Sequence, residues 1–294
     1  MPIAQDAKMP KRRAVGLVSP TGKEIVLRPV VPNVGIEAAY KKALDRMVDE
    51  MHKSLLYWLT AQYRANPPSM AGDAGIESFR DVSPANAMRR AIHRMSRRWL
   101  KAFDKGSEDL AAYFAEKTAS SSDAQLKAIL KKAGFTVEFK ANEAINNAMQ
   151  ASIGENVSLI RSIASEHLTQ VEGSVMRAMT SGRDLKTLTD ELIERHVVTR
   201  KRATMIARDQ SNKMTAVITR ARQQELGITH ARWRHSGAGK HPRPSHLEAG
   251  RDDGGKGRLY EVDKGCLIDG EYIRPGELIN CRCTCRSVIP GYND

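Results

Sequence analysis

From residue 36 to residue 227, apolar side chains recur at intervals of three and four with few interruptions, and that spacing commits the middle of the chain to helices. The first run is Ile36, Tyr40, Leu44, Met47, Met51, Leu55 and Leu59, all on one helical face. Asn66-Pro67-Pro68 ends it, because proline supplies no amide and restricts the residue before it. A loop of small and polar residues is expected over 69–83. Residues 84–105 form the next helix, with Met88, Ile92, Met95, Trp99 and Phe103 as its apolar stripe.

Beyond that helix the pattern is broken into shorter pieces. Ser120-Ser121-Ser122 reads as a break, and Ser122 or Asp123 as the N-cap of a short helix to Lys132, closed by Gly134. Residues 135–139 alternate like a short strand. Helical spacing resumes near Asn142, pauses at Gly154, and continues through Val157, Ile160, Ile163, Leu168, Val171, Val175 and Met179 to a stop at Gly182. Thr187 with Asp190 resembles a capping box for a helix to about His196. Thr199 begins the last long helix, with Ala203, Ile206, Met214, Val217 and Ala221 on one face and Gly227-Ile228 as its stop.

The flanks differ from this helical middle. Residues 1–13 read as a polar, basic arm. Val15-Gly16-Leu17-Val18 and Glu24-Ile25-Val26-Leu27 read as a strand pair around a Ser19-Pro20-Thr21-Gly22 turn. Gly, His, Pro, Asp and Arg crowd residues 235–258, which predicts a shaped loop rather than a helix. Short strands are expected at 259–262, 266–268, 272–273 and about 283–288, with Asp269-Gly270 as a tight turn. The expected fold is mainly α with a small α+β C-terminal module: long helices, then short antiparallel strands and a Cys/His-rich loop. Its divisions are an arm and hairpin over 1–35, a helical domain over 36–228, and a Cys/His-containing β-rich module over 229–294 that packs on the preceding helix.

A formal net charge of +13 gives the chain a field that attracts polyanions, whether nucleic acid or an acidic protein surface. The charge is densest on the helix at 84–105, where Arg89, Arg90, Arg94, Arg97, Arg98 and Lys101 are opposed by Asp104 alone. That helix can lie along a phosphate backbone, dock on an acidic partner, or simply present a solvated face; nothing in it reads bases. No stretch approaches the ~18 consecutive apolar residues of a membrane span. The basic start has no apolar segment of signal-peptide type, so a cytoplasmic protein is expected.

Four cysteines, Cys266, Cys281, Cys283 and Cys285, all fall near the C-terminal end. In a reducing compartment such clustering reads as metal binding or local packing before it reads as disulfides. In an extended strand Cys281, Cys283 and Cys285 project to one face, and His235, His241 and His246 lie in the loop ahead of them. Zinc bound by His246, Cys281, Cys283 and one of His241 or Cys266 would staple a module with little core. Against this, Cys-x-Cys is not the usual zinc spacing, and cysteines packed as small hydrophobes are the competing reading. A third reading places a divalent ion on His246, Glu248, Asp252 and Asp253 for DNA cleavage. Asp252-Asp253-Gly254-Gly255 has the composition of a turn, however, and gives those acids no visible scaffold. The sequence carries no phosphate loop and no cofactor fingerprint.

The order of the pieces over 207–285 is more specific than any one of them. Ala207-Arg208-Asp209-Gln210-Ser211-Asn212 lies on a helix, followed by Gly227-Ile228, Trp233, Arg243-Pro244-Ser245-His246, Gly255, Pro275-Gly276 and a closing Asn280-Cys281-Arg282-Cys283. Over about residues 150–285 the chain resembles the phage Mu F-like minor head proteins, also called phage head morphogenesis proteins. The family's motif positions fall on Arg208, Asn212, Trp233, Arg243, His246, Cys281 and Cys283. Asp209-Gln210 stands where a Thr-Glu pair is commoner, and Cys285 lies beyond the closing motif.

The resemblance implies a non-enzymatic component of a tailed bacteriophage head. Such a protein associates with the portal and with the major capsid or scaffold protein, contacts packaged double-stranded DNA, and resides in the virion after assembly in the host cytoplasm. Metal-dependent nuclease and free DNA-binding protein are the rival classes. Read structurally, Arg243 pairs with a carboxylate of the long helix or of the portal, and His246 hydrogen-bonds a backbone carbonyl or shares the metal. Trp233 fills the groove between the long helix and the strands or, the favoured reading, is plainly buried in the core.

Overall fold

The computed structural model describes residues 17–19, 21–68, 83–239 and 241–291. The expected arm at 1–13, residues 15 and 16 of the first expected strand, Pro20 of its turn and nearly all of the expected loop at 69–83 lie outside the described residues. In chain order the elements are β1 (Ile25–Val26), α1 (Val34–Ala65), α2 (Pro84–Lys132), α3 (Glu143–Thr180), α4 (Leu185–Glu225), β2 (His230–Arg234), α5 (Pro244–Gly255), β3 (Leu259–Glu261), β4 (Cys266–Ile268), β5 (Glu271–Ile273) and β6 (Thr284–Ile289). The chain divides into two compact units: one takes residues 32–121 and 146–214, the other residues up to 31, 122–145 and from 215 onward.

The first unit is helical. The Asn33 side chain caps α1 by accepting from the backbone N–H groups of Gly35 (2.9 Å) and Ile36 (3.2 Å). Burying Tyr40, Leu44, Val48, Met51, Leu55, Leu59 and Tyr63 then gives α1 a continuous apolar face. The Tyr40 ring stacks on Phe114 of α2 at 4.2 Å, and its hydroxyl donates to Asn156 Oδ1 of α3 at 3.0 Å. On the α4 side His52 stacks on His196 with ring centroids 4.1 Å apart. His196 also meets Asp49 Oδ1 at 2.7 Å, and Arg200 donates to Asp45 Oδ2 at 3.0 Å. Burial, reinforced by the neighbouring His196, pushes His52 down to about 4. His167, hydrogen-bonded to the Thr199 hydroxyl at 2.8 Å, is pushed down to about 4 by burial and by His52, His196 and Arg195.

Helices run through three of the expected breaks. The serine run at 120–122 lies inside α2, because Ala115, Ala119, Ser122, Leu126 and Leu130 keep the apolar interval and are all buried. Gly154 lies inside α3, which costs about 1 kcal/mol of propensity and is outweighed by the buried Val157, Ile160 and Ile163 that follow. Two expected helices at 187–196 and 199–227 are one helix, α4. Its cap is Asp184, whose carboxylate accepts the Thr187 backbone N–H at 3.0 Å and the Thr187 hydroxyl at 2.7 Å, so Thr187 is the capped residue and not the cap. Gly227 stops α4 with φ 65°, and the Ile228 N–H reaches back to the Gln223 carbonyl at 2.9 Å.

The second unit contains a four-stranded antiparallel sheet in the order β1-β6-β2-β3, beside a separate β4-β5 hairpin. Among the described residues β1 pairs with β6, Ile25 opposite Ile289, a partner the sequence reading does not give. The turn after residue 18 does form, with the Gly22 N–H donating to the Ser19 carbonyl at 3.2 Å. Residues 135–139 form no strand ladder, but Phe135, Val137 and Phe139 use their alternation to pack on Leu27, Val30, Leu126, Leu130 and Ile289. The β4-β5 turn is as expected, with Asp269 at φ 53° and Gly270 at φ 82°.

Two elements here depart from the sequence reading. Strand β2 was not anticipated, and the expected loop at 235–258 contains α5. Helix α5 forms because Arg243 is extended and Pro244 presets the first helical φ. It breaks at Asp252, Asp253 and Gly254, whose dihedrals are non-helical, where the turn was expected.

Candidate functional site

Strand β2 carries Trp233 into the interior, where it is fully buried. Its backbone is held by close approach of Gly257. At φ 91°, a Cβ on Gly257 would lie 1.9 Å from the Trp233 carbonyl oxygen, so only glycine permits the approach. The Trp233 N–H donates to the Arg258 carbonyl at 2.9 Å, and the Arg258 N–H donates to Ala249 of α5 at 2.7 Å. This chain of bonds fixes α5 over β2 and turns His246 inward, its ring edge-on to the Trp233 indole with centroids 5.0 Å apart.

The opposite wall is the segment between β5 and β6. The Arg274 N–H donates to Glu277 at 2.7 Å, the Cys281 N–H donates to the Leu278 carbonyl at 2.9 Å, and Asn280 takes a left-handed φ of 59°. Arg243 fastens this segment to the start of α5 by donating to the Ile279 carbonyl at 3.0 Å. Within the chain Arg243 thus meets a backbone oxygen of this segment.

The two walls bring three buried groups together. His246 Nδ1 lies 3.6 Å from Cys281 Sγ and 3.7 Å from Cys283 Sγ, and the three ligand atoms all fall within 4.8 Å of one another. The Cys283 thiol donates to Cys281 and holds Cys281 below the usual thiol range, and the backbone N–H groups of Cys283 and Gly276 act in the same sense. The same sharing of one proton, with burial, pushes Cys283 up. The Trp233 indole N–H is buried without a hydrogen-bond partner; it and the backbone of Ser236 oppose the rise at Cys283. Nearby, His235 accepts the Gly237 N–H at Nδ1 (3.1 Å), and burial pushes its pKa down.

The other sequence candidates lie elsewhere. Cys281 and Cys283 sit in the turn before β6, which starts only at Thr284, so Cys285 does not share their position. Cys285 stands opposite Trp233 in the β2-β6 ladder, accepts from Gln223 Nε2 at 3.5 Å, and is pushed up by burial. Cys266 stands opposite Ile273 in the β4-β5 hairpin and is also pushed up by burial, with Arg258 opposing. His241 is exposed and outside the cluster.

The acids of the nuclease reading are held by arginines. Arg258 donates to Asp252 at 2.8 Å and lies 3.7 Å from Glu248, while Arg232 donates to Asp253 at 2.7 Å. His246 faces sulfur and not these carboxylates. Arg232, a buried cation in β2, was missed in the sequence, where it is one arginine among many.

The helical unit holds the remaining candidates. Arg89, Arg90, Arg94, Arg97, Arg98 and Lys101 are all exposed on α2, and Asp104 is taken by Arg161 at 2.7 Å. Arg94 and Arg98 border a shallow pocket with Trp58, Gln62, Ala91 and Met95. On α4, Asn212 donates to the Arg208 carbonyl at 2.8 Å. Buried Asp209 lies 3.4 Å from Lys213, and Gln210 donates to Glu155 at 3.1 Å, so both residues that depart from the motif are engaged within this unit.

Residues 169–286 match the family described as Phage Mu protein F like protein. The chain is also similar to a protein of Haemophilus influenzae whose name is given only as uncharacterized protein, with 31% identity over 180 residues. That similarity takes in 60% of this chain and 38% of the relative, so the chain spans well under half of the relative's length. No solved structure matches.

Proposed function

We propose, from the match of residues 169–286 to the family described as Phage Mu protein F like protein, that the protein is a minor head protein of a tailed bacteriophage, acting in head morphogenesis. The family match is the observation that carries the reading, because it covers α4, β2, α5 and the cysteine turn in one continuous stretch. In this reading the second unit is a docking module, built by the sheet and α5, and no reaction is assigned to it. Its partners are the portal and the major capsid or scaffold protein, met in the host cytoplasm during assembly, and its final location is the virion.

The exposed basic face of α2 supports a contact with packaged double-stranded DNA, where phosphate is dense and exposed arginines need no specific base to bind. Among the described residues no helix is long and apolar enough to cross a membrane. Mass spectrometry of intact, purified heads, with crosslinking to name the neighbours, tests the proposal. The protein should be present at low copy and crosslink to portal or capsid subunits. Heads that lack it altogether would overturn the reading. A free DNA-binding protein would instead bind duplex equally well without portal, with affinity falling steeply as salt rises.

A further inference from the structure

We propose that His246 Nδ1, Cys281 Sγ and Cys283 Sγ bind one zinc ion as three corners of a tetrahedron. The proposal goes beyond the head-protein reading and does not depend on it. It rests first on geometry. With Zn–S near 2.3 Å and Zn–N near 2.0 Å, a tetrahedral angle sets each S···N edge at roughly 3.5 Å. The two S···N distances of 3.6 and 3.7 Å are close to that edge before any ion draws the groups in.

The donor set selects the metal. Two thiolates and an imidazole are soft and borderline ligands that favour zinc over magnesium or calcium, which take oxygen. No carboxylate joins the group, and Asp252 and Asp253 are held by Arg258 and Arg232. The Trp233 indole stands edge-on to the His246 ring with centroids 5.0 Å apart, which orients the imidazole.

The ligands come from separate elements, α5 and the turn ahead of β6, so an ion would join two segments 35 residues apart in sequence. The two cysteines lie in a buried core whose apolar bulk comes from Ala231, Trp233, Tyr260, Val262, Ile268 and Ile273, so a cross-link to His246 adds much to a small module. Three protein ligands leave the fourth corner of the tetrahedron for a water molecule. Binding displaces the thiol protons of the pair to solvent, and no electron transfer is involved.

Elemental analysis of the full chain, purified under reducing conditions without a polyhistidine tag, tests the site. About one zinc per chain is expected. Cys281→Ser and Cys283→Ser should each lose most of it, whereas Cys266→Ser and Cys285→Ser should keep it. If either of the first two variants fails to fold, cobalt titration of the metal-stripped wild type gives the same answer. A thiolate-to-cobalt charge-transfer band that saturates at one equivalent supports the site, and its absence overturns it. Zinc retained by a folded Cys281→Ser/Cys283→Ser double variant also overturns it, as does a wild-type chain that is folded, metal-free and unable to take up zinc. These measurements use isolated protein, so the zinc site and the head assignment can fail separately.

Discussion

Arg222 near the end of α4 closes on both carboxylate oxygens of Asp123, 99 residues earlier in the chain, with Nε to Oδ1 at 2.8 Å and Nη2 to Oδ2 at 2.6 Å. The guanidinium is buried, lies 4.6 Å from the Phe139 ring, and donates also to the Lys140 carbonyl and to Glu225. The planar fork makes this pairing one that lysine cannot reproduce. Asp123→Ala should lower stability by up to about 3 kcal/mol, the low end for removing one partner of a buried pair because the aspartate side is partly exposed. Urea unfolding checks the value. A change below about 0.5 kcal/mol, the size expected of an ordinary surface substitution, would mean the pair is structurally idle.

Acid should weaken the helical unit before it reaches the carboxylate range. His52 and His167 titrate near 4 in the folded protein against an ordinary 6.5, so the unfolded chain binds more protons between those values. Their contribution is complete above about pH 6.5 and is lost as pH falls from 6.5 toward 4. His196, Asp49 and Arg195 are the charged or titratable neighbours that tune this window. Denaturation midpoints measured across it should fall, and His52→Phe, which keeps a ring against His196, should flatten the slope. An unchanged slope in that variant would show that His52 does not titrate as described.

Two glycines separate backbone strain from collision. Gly255 and Gly257 both hold a left-handed φ, 88° and 91°, but an added Cβ meets nothing within 4 Å at Gly255 and the Trp233 carbonyl at Gly257. Gly255→Ala should cost about 1–2 kcal/mol of conformational strain. Gly257→Ala should reach the exceptional class above about 4 kcal/mol, because β2 must move. Thermal unfolding of the two variants side by side measures the gap, and equal losses would refute the close approach.

Charge reversal on α2 should separate binding from folding. Arg89, Arg94, Arg97 and Arg98 are exposed, so changing them to Glu should leave the melting temperature nearly unchanged. If this face meets DNA, duplex affinity should drop and the salt slope should shrink by about 0.9 for each phosphate that is no longer neutralised. Equal affinity and slope in the quadruple variant would remove DNA from the list of partners for this face.

Where the sequence was legible, one force dominated. Apolar spacing identified α1 and α3 because each buries one unbroken face, and Gly227 and Asp269-Gly270 were readable because left-handed backbone admits few residues. The breaks misread inside α2, α3 and α4 were local signals, a serine run, Gly154 and a helix start at Thr199, overruled by continued burial of Ser122, of Val157 and of Thr199 and Ala203. Strand pairing was not legible for β1, since its partner β6 lies at the far end of the chain and a turn-forming neighbour was at hand.

At the candidate site, sequence order brought His246, Cys281 and Cys283 forward, but strand alternation wrongly grouped Cys285 with them because it assumed extended backbone already at Cys281. The buried Arg232 carries no signature in residue type.

The pairing of Ile25 with Ile289 and Val26 with Val288 also sets a timetable. During translation the early strand has no ladder to join until almost the whole described chain has left the ribosome, and the turn bearing Cys281 and Cys283 emerges just ahead of its partner. Every residue of the helical unit, which ends at 214, is by then already synthesised and can have packed. A nascent chain stalled before residue 284 would therefore carry an unmated edge, and chaperones that shield exposed strands would find their binding site there rather than among the helices.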